Sequence, residues 1–166
     1  EEKTAEALYK TLLDLNFTEV PLVLDADALN ILAEHPQWAD LIPNGTIITP
    51  HPLEYRRLVE AGACLDNVIL VLKGHPTTIT IPGNPSAQYE CPYGNNGMGT
   101  AGSGDVLTGI ILGLLAQGYP PRDAVLLGVG LHALSGDLAA GELGQHSLIA
   151  SDLIKYLHKV FNIITT

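Results

Sequence analysis

Short apolar runs that each close on a polar residue set the tightest limit on how this chain folds. They are Pro21 to Asp25 (PLVLD), Thr46 to Thr49 (TIIT), and Val68 to Leu72, which ends at Lys73-Gly74. A strand with one wet face alternates apolar and polar residues, whereas a continuous apolar run is covered on both faces, as in parallel sheets. Segments with helical spacing lie between these runs. Glu1 to Leu15 carries Ala5, Leu8, Leu12 and Leu15 on one stripe, Asp27 reads as the N-cap of a short helix through Leu32, and Pro50-His51-Pro52 leads into a helix with Glu54, Tyr55 and Leu58. The alternation predicts an α/β fold with a mainly parallel sheet. Ligands on such sheets bind at the carboxyl ends of the strands, where Asp25, His51 and Lys73 stand.

Further on, Thr77 to Ile81 reads as another strand. A glycine-rich loop, Gly94 to Gly104, then feeds a helix from Asp105 to Gln117, with Gly118 at its C′ position. Pro120-Pro121 starts a helix over Arg122 to Ala140, and Ser151 or Asp152 caps a last one to Val160. The longest apolar run, Gly109 to Ala116, is shorter than the ~18 residues a membrane span needs and reads as a buried helix, so no membrane partner is expected. A formal net charge of −10 argues against a nucleic-acid surface, because phosphate backbones reward Lys and Arg. It leaves room for a phosphorylated small ligand held by backbone N–H groups and one or two cations. Cys64 and Cys91 form no CxxC pair, and no signal peptide is seen, so a reduced, cytoplasmic setting is expected.

The segment richest in chemistry is Asn95 to Gly109 (NNGMGTAGSGDVLTG). Its glycines let backbone approach a ligand, and the helix that follows aims free N–H groups and the positive end of its dipole into the loop. Asp105 at the mouth of such an anion site is either an ordinary N-cap or a general base that takes a hydroxyl proton while the helix end steadies a phosphoryl group. Other residues have two readings as well. Lys73 is a solvated cation or a phosphate ligand, and His51 a turn residue or a ligand contact. Glu54 reaches a metal or pairs on its own helix, and His132 is a satisfied core or interface histidine. Met98 reads as packing. The histidines show no metal-ligand spacing, so no protein-built metal site is expected.

Five stretches in order carry a family likeness. Asn95 to Gly118, Val23 to Leu32 (VLDADALNIL), Ile48 to Leu58 (ITPHPLEYRRL), Val71 to Thr77 (VLKGHPT) and Gly130 to Leu153 together resemble the ADP/ATP-dependent NAD(P)H-hydrate dehydratases of the ribokinase-like superfamily. The resemblance implies a three-layer α/β/α fold with a mainly parallel central sheet. It implies Asp105 as catalytic base in contact with substrate, and Gly102, Ser103 and Gly104 as the anion hole, with Gly104 also touching nucleotide. Lys73, Gly74, His75, Pro76 and Thr77 would line the nucleotide site, and His51 would touch the hydrated dinucleotide, with Asp25, Asp27 and Asn30 in support. The implied co-substrate is ADP or ATP with Mg²⁺, and the implied substrate is the S-epimer of hydrated NADH or NADPH. A homotetramer and a fused or partner epimerase domain are family expectations too.

Against the family pattern, residues 1–166 read as the C-terminal part of one such domain. The first strands and a glycine contact are expected before Glu1, and a longer helix between Arg57 and Val68. A ribokinase-like kinase of hydroxymethylpyrimidine or hydroxyethylthiazole type would share the Gly-x-Gly-Asp corner, and an inert nucleotide-binding module is a third class. The Asn95-to-Met98 and Thr49-to-Pro52 words favour the dehydratase.

Overall fold

The computed structural model describes residues 2–15, 20–83 and 87–164. The chain divides into two compact units, residues 1–73 with 79–89, and residues 74–78 with 90–166.

The first unit holds α1 (Glu2–Leu15), β1 (Val23–Leu24), α2 (Asp27–Glu34), a 3₁₀ turn at Pro36–Leu41, β2 (Ile47–Ile48), α3 (Pro52–Glu60) and β3 (Ile69–Leu72). The three strands pair in parallel, Val23 opposite Ile47 and Ile47 opposite Ile69. Ile47 and Ile48 are both fully buried. Consecutive strand side chains point to opposite faces, so the sheet is covered on both sides, as the apolar run predicts. Leu12 of the α1 stripe is fully buried in a core with Leu24, Leu29, Leu32 and Leu58, Leu8 packs half-buried against it, and Ala5 and Leu15 are half-buried. The sheet order continues through β4 (Thr77–Thr80) and β5 (Gln88–Cys91). β5 carries polar Gln88 and Glu90 on its exposed side, a pattern too short to read from sequence.

The second unit is built on α4 (Ser103–Ala116), α5 (Pro121–Leu143) and α6 (Ala150–Ile164), with 3₁₀ turns at Asn96–Met98 and Gln145–Ser147. Gly128 lets α5 lie tight on α4, since a Cβ there would stand 2.8 Å from Ile111 Cγ1. Gly118, with φ 89, ends α4 as predicted. Asp152 caps α6 from its third position, its carboxylate accepting the Ile149 N–H at 3.3 Å. α5 corrects one expectation: it is long and apolar enough to cross a membrane by length and composition alone. Half of that stretch is buried, Ala124, Val125 and Ala139 completely, which makes it the central helix of this unit.

Candidate active site

In the first unit the ends of three parallel strands bring together the polar residues expected there. Lys73 Nζ lies 2.8 Å from Asp25 Oδ1 and 4.0 Å from Glu54 Oε2. Asp25 and Glu54 are about nine-tenths buried, and Lys73 keeps 22% of its side-chain surface exposed. The ammonium is therefore matched by carboxylates on one side and keeps part of its surface open. The same Asp25 Oδ1 accepts the Ala26 N–H at 2.8 Å. Ala26 is held at φ 49 and ψ −119, a positive-φ backbone that costs an alanine roughly 1–3 kcal/mol. Asp27, expected to cap α2, is instead its first residue. The cap position falls to Ala26, and no side chain fills it.

His51 is the N-cap of α3. Its Nδ1 accepts the N–H groups of Leu53 (3.1 Å) and Glu54 (3.3 Å), and Glu54 Oε2 accepts the His51 N–H at 2.7 Å. This is a capping box in which an imidazole takes the place of the usual hydroxyl. A nitrogen that accepts carries no proton, so the neutral ring is protonated at Nε2, which faces Glu54 Oε1 at 3.3 Å. Glu54 pairs on its own helix and His51 caps it, while the His51 side chain keeps 46% of its surface exposed. Arg57 Nη1 donates to Asn30 Oδ1 at 3.0 Å and ties α3 to α2.

In the second unit, Gly74, His75 and Pro76 form an exposed turn with a cis His75-Pro76 bond, closed by Thr77 Oγ1 donating to the Gly74 carbonyl at 3.0 Å. The glycine-rich loop ends at Gly102, whose φ of 84 reverses the chain into α4. The helix therefore starts two residues earlier than the sequence indicates. Ser103, Gly104 and Asp105 form its first turn, and Asp105 is an exposed third residue, not an N-cap. Ser103 N–H donates to the Thr100 carbonyl at 3.2 Å. Gly104 and Asp105 sit where a helix offers no internal acceptor for their N–H groups, so two donors and one carboxylate share a single turn at the positive end of the dipole.

This loop is held from outside. Asp137 of α5 accepts the Gly94 N–H (2.8 Å) and Asn95 Nδ2 (2.9 Å), and Asn95 Oδ1 accepts the Gly97 N–H at 3.0 Å. Met98 packs over Gly136, where any side chain would meet the sulfur at 2.3 Å. His132 contacts Ser103 directly.

The sequence matches the NAD(P)H-hydrate dehydratase family over residues 1–159. The chain belongs to that family. It is 42% identical over 154 residues to a bifunctional NAD(P)H-hydrate repair enzyme of Moorella thermoacetica, covering 84% of this chain and 29% of that protein. It is 37% identical over 166 residues to an ADP-dependent (S)-NAD(P)H-hydrate dehydratase of Neisseria meningitidis, covering 89% of this chain and 55% of that one. The chain thus spans about a third to a half of the length of these curated relatives. An ADP/ATP-dependent NAD(P)H-hydrate dehydratase of Bacillus subtilis, co-crystallized with ATP/Mg²⁺, superposes with a TM-score of 0.70 at 30% identity, over 86% of this chain and 54% of that one. Arabidopsis thaliana ribokinase, at 16% identity and a TM-score of 0.56, shares the fold alone, covering 92% of this chain and 52% of its own. The dehydratase family member described here has a ribokinase-like α/β fold.

Within this dehydratase frame, the sequence reads His132 as a satisfied core or interface histidine, and its contact with Ser103, like that of Asp137 with Gly94 and Asn95, is seen only in the fold. Polar His132 and Asp137 on an otherwise apolar helix, with small Gly136 between them, were the available signal.

Proposed function

We propose that this chain carries the nucleotide-binding and catalytic part of an (S)-NAD(P)H-hydrate dehydratase. The hydroxyl of hydrated NADH or NADPH attacks the terminal phosphorus of ADP or ATP, and its proton passes to Asp105. The bond to the bridging oxygen breaks, leaving a nucleotide shorter by one phosphate. The phosphorylated hydrate then loses phosphate and a ring proton, which restores the dihydronicotinamide. Hydroxide is a poor leaving group and phosphate a good one, so the detour removes the difficult step.

The observation that carries this reading is the start of α4. Left-handed Gly102, open N–H groups at Gly104 and Asp105, and an exposed carboxylate in the same turn make an anion site with a base at its mouth. The names of the Neisseria and Bacillus relatives support the reaction and the nucleotide. Lys73, Gly74, His75, Pro76 and Thr77 line the nucleotide, with Gly104 beside it. His51 meets the hydrated dinucleotide with its exposed surface.

The Bacillus relative was co-crystallized with ATP/Mg²⁺, and Mg²⁺ is proposed to arrive on the nucleotide phosphates, where it would share their charge. ADP is the proposed donor, the functional form a homo-oligomer such as a tetramer, and the setting cytoplasmic. The bifunctional relatives are consistent with an epimerase, fused or in partnership.

The test is to mix the protein with hydrated NADH, Mg²⁺ and either ADP or ATP and follow the dihydronicotinamide absorbance. Recovery should need nucleotide, and Asp105→Asn should lower kcat by about 10³-fold. Nucleotide binding without recovery would instead indicate a small-molecule kinase or an inert nucleotide module.

A further inference from the structure

His132 lies on the face of α5 that meets the glycine-rich loop, 29 residues from Ser103 in sequence. Its Nε2 is 3.0 Å from the Ser103 carbonyl oxygen and 3.3 Å from Ser103 Oγ. A carbonyl oxygen only accepts, so the proton must sit on Nε2. One N–H is thus shared between the main chain and side chain of a residue that is only 6% exposed. Ser103 is the first residue of α4, between left-handed Gly102 and the open N–H groups of Gly104 and Asp105. Holding its carbonyl fixes the plane of the peptide whose N–H belongs to Gly104.

The rest of the α5 face works on the same loop. Asp137 gathers Gly94 and Asn95, and Gly136 seats Met98. The loop is therefore fastened at its start, middle and end by one rigid helix. Oxyanion-type stabilisation depends on donors that are already aimed before charge develops.

We propose that His132 is a positioning residue that, through the Ser103 carbonyl, aims the first turn of α4 and so sets the anion hole and Asp105. For its effect on rate this rests on the dehydratase reading; for its effect on the turn it does not.

The test compares the wild-type protein with His132→Leu and His132→Gln, since a glutamine amide can return an N–H near the position of Nε2. Each is measured for kcat and nucleotide KM, thermal midpoint, and amide hydrogen exchange across 102–106. The Leu variant should lose roughly 10- to 100-fold in kcat while KM moves less than about threefold, because a donor aimed at developing charge acts in the transition state. Its amides at 104 and 105 should exchange faster, and the Gln variant should restore both the rate and the protection. The proposal is overturned if Leu keeps wild-type kcat and protection, or if kcat falls only in step with the thermal midpoint and Gln restores neither. If the wild-type protein shows no turnover, the dehydratase reading is what fails, and the exchange rates of the two variants still decide whether His132 holds the turn.

Discussion

The polar cluster of the first unit and the glycine-rich turn of the second both resemble active-site furniture, but they are built on opposite principles. Around Asp25, His51, Glu54 and Lys73, side-chain charges satisfy one another. The lysine meets two carboxylates, and the histidine ring caps a helix with one nitrogen and faces a carboxylate with the other. Around Gly102 to Asp105 the donors are backbone, the single carboxylate is exposed, and the constraint comes from α5 behind. The lesson is that density of charged residues is a poor guide to chemistry. The first cluster balances its own charges, and the turn leaves its donors open.

Three substitutions press on that contrast. The largest stability effect should come from Lys73→Met, which leaves Asp25 and Glu54 buried without their cation and should cost about 3 kcal/mol of unfolding free energy in urea titrations. Adding Asp25→Asn should recover part of it; an unchanged midpoint in the single variant would show that the cluster is not structural. Gly97→Ala comes next. Its Cβ would stand 2.4 Å from the Gln145 carbonyl oxygen and 2.8 Å from that residue's Cα, so backbone must move, at about 2 kcal/mol. A neutral result would mean the loop is held more loosely than its contacts imply. The smallest effect is a gain: Ala26→Gly should raise Tm, worth about 1 kcal/mol, by relieving φ 49 without touching turnover.

How much of this was legible beforehand follows from the range of the interactions. The buried parallel strands could be read because Ile47, Ile48 and Val71 are apolar wherever they point. From the strands and the alternation came the placing of Asp25, His51 and Lys73 at carboxyl ends. Local capping was less legible. Asp27 carries the right side chain for a cap, yet Asp25 takes the Ala26 N–H first and the helix starts one residue earlier than the cap reading requires. The start of α4 was misjudged because Gly102, not Asp105, makes the reversal. The α5 scaffold left only two polar residues on an apolar helix as a local sign: His132 and Ser103 are 29 residues apart, and Asp137 and Gly94 are 43. Only folding brings them together.

In the proposed reaction the turn from Gly102 to Asp105 steadies a phosphoryl group as it passes to the hydroxyl of hydrated NADH, so that phosphate, not water, departs. The direct measurement is to label that hydroxyl with oxygen-18, add ADP or ATP, and ask where the label goes. Label should appear in inorganic phosphate, released in step with returning dihydronicotinamide, and Asp105→Asn should give neither product at an unchanged thermal midpoint. Label appearing in water, or dihydronicotinamide returning without nucleotide, would contradict that reaction.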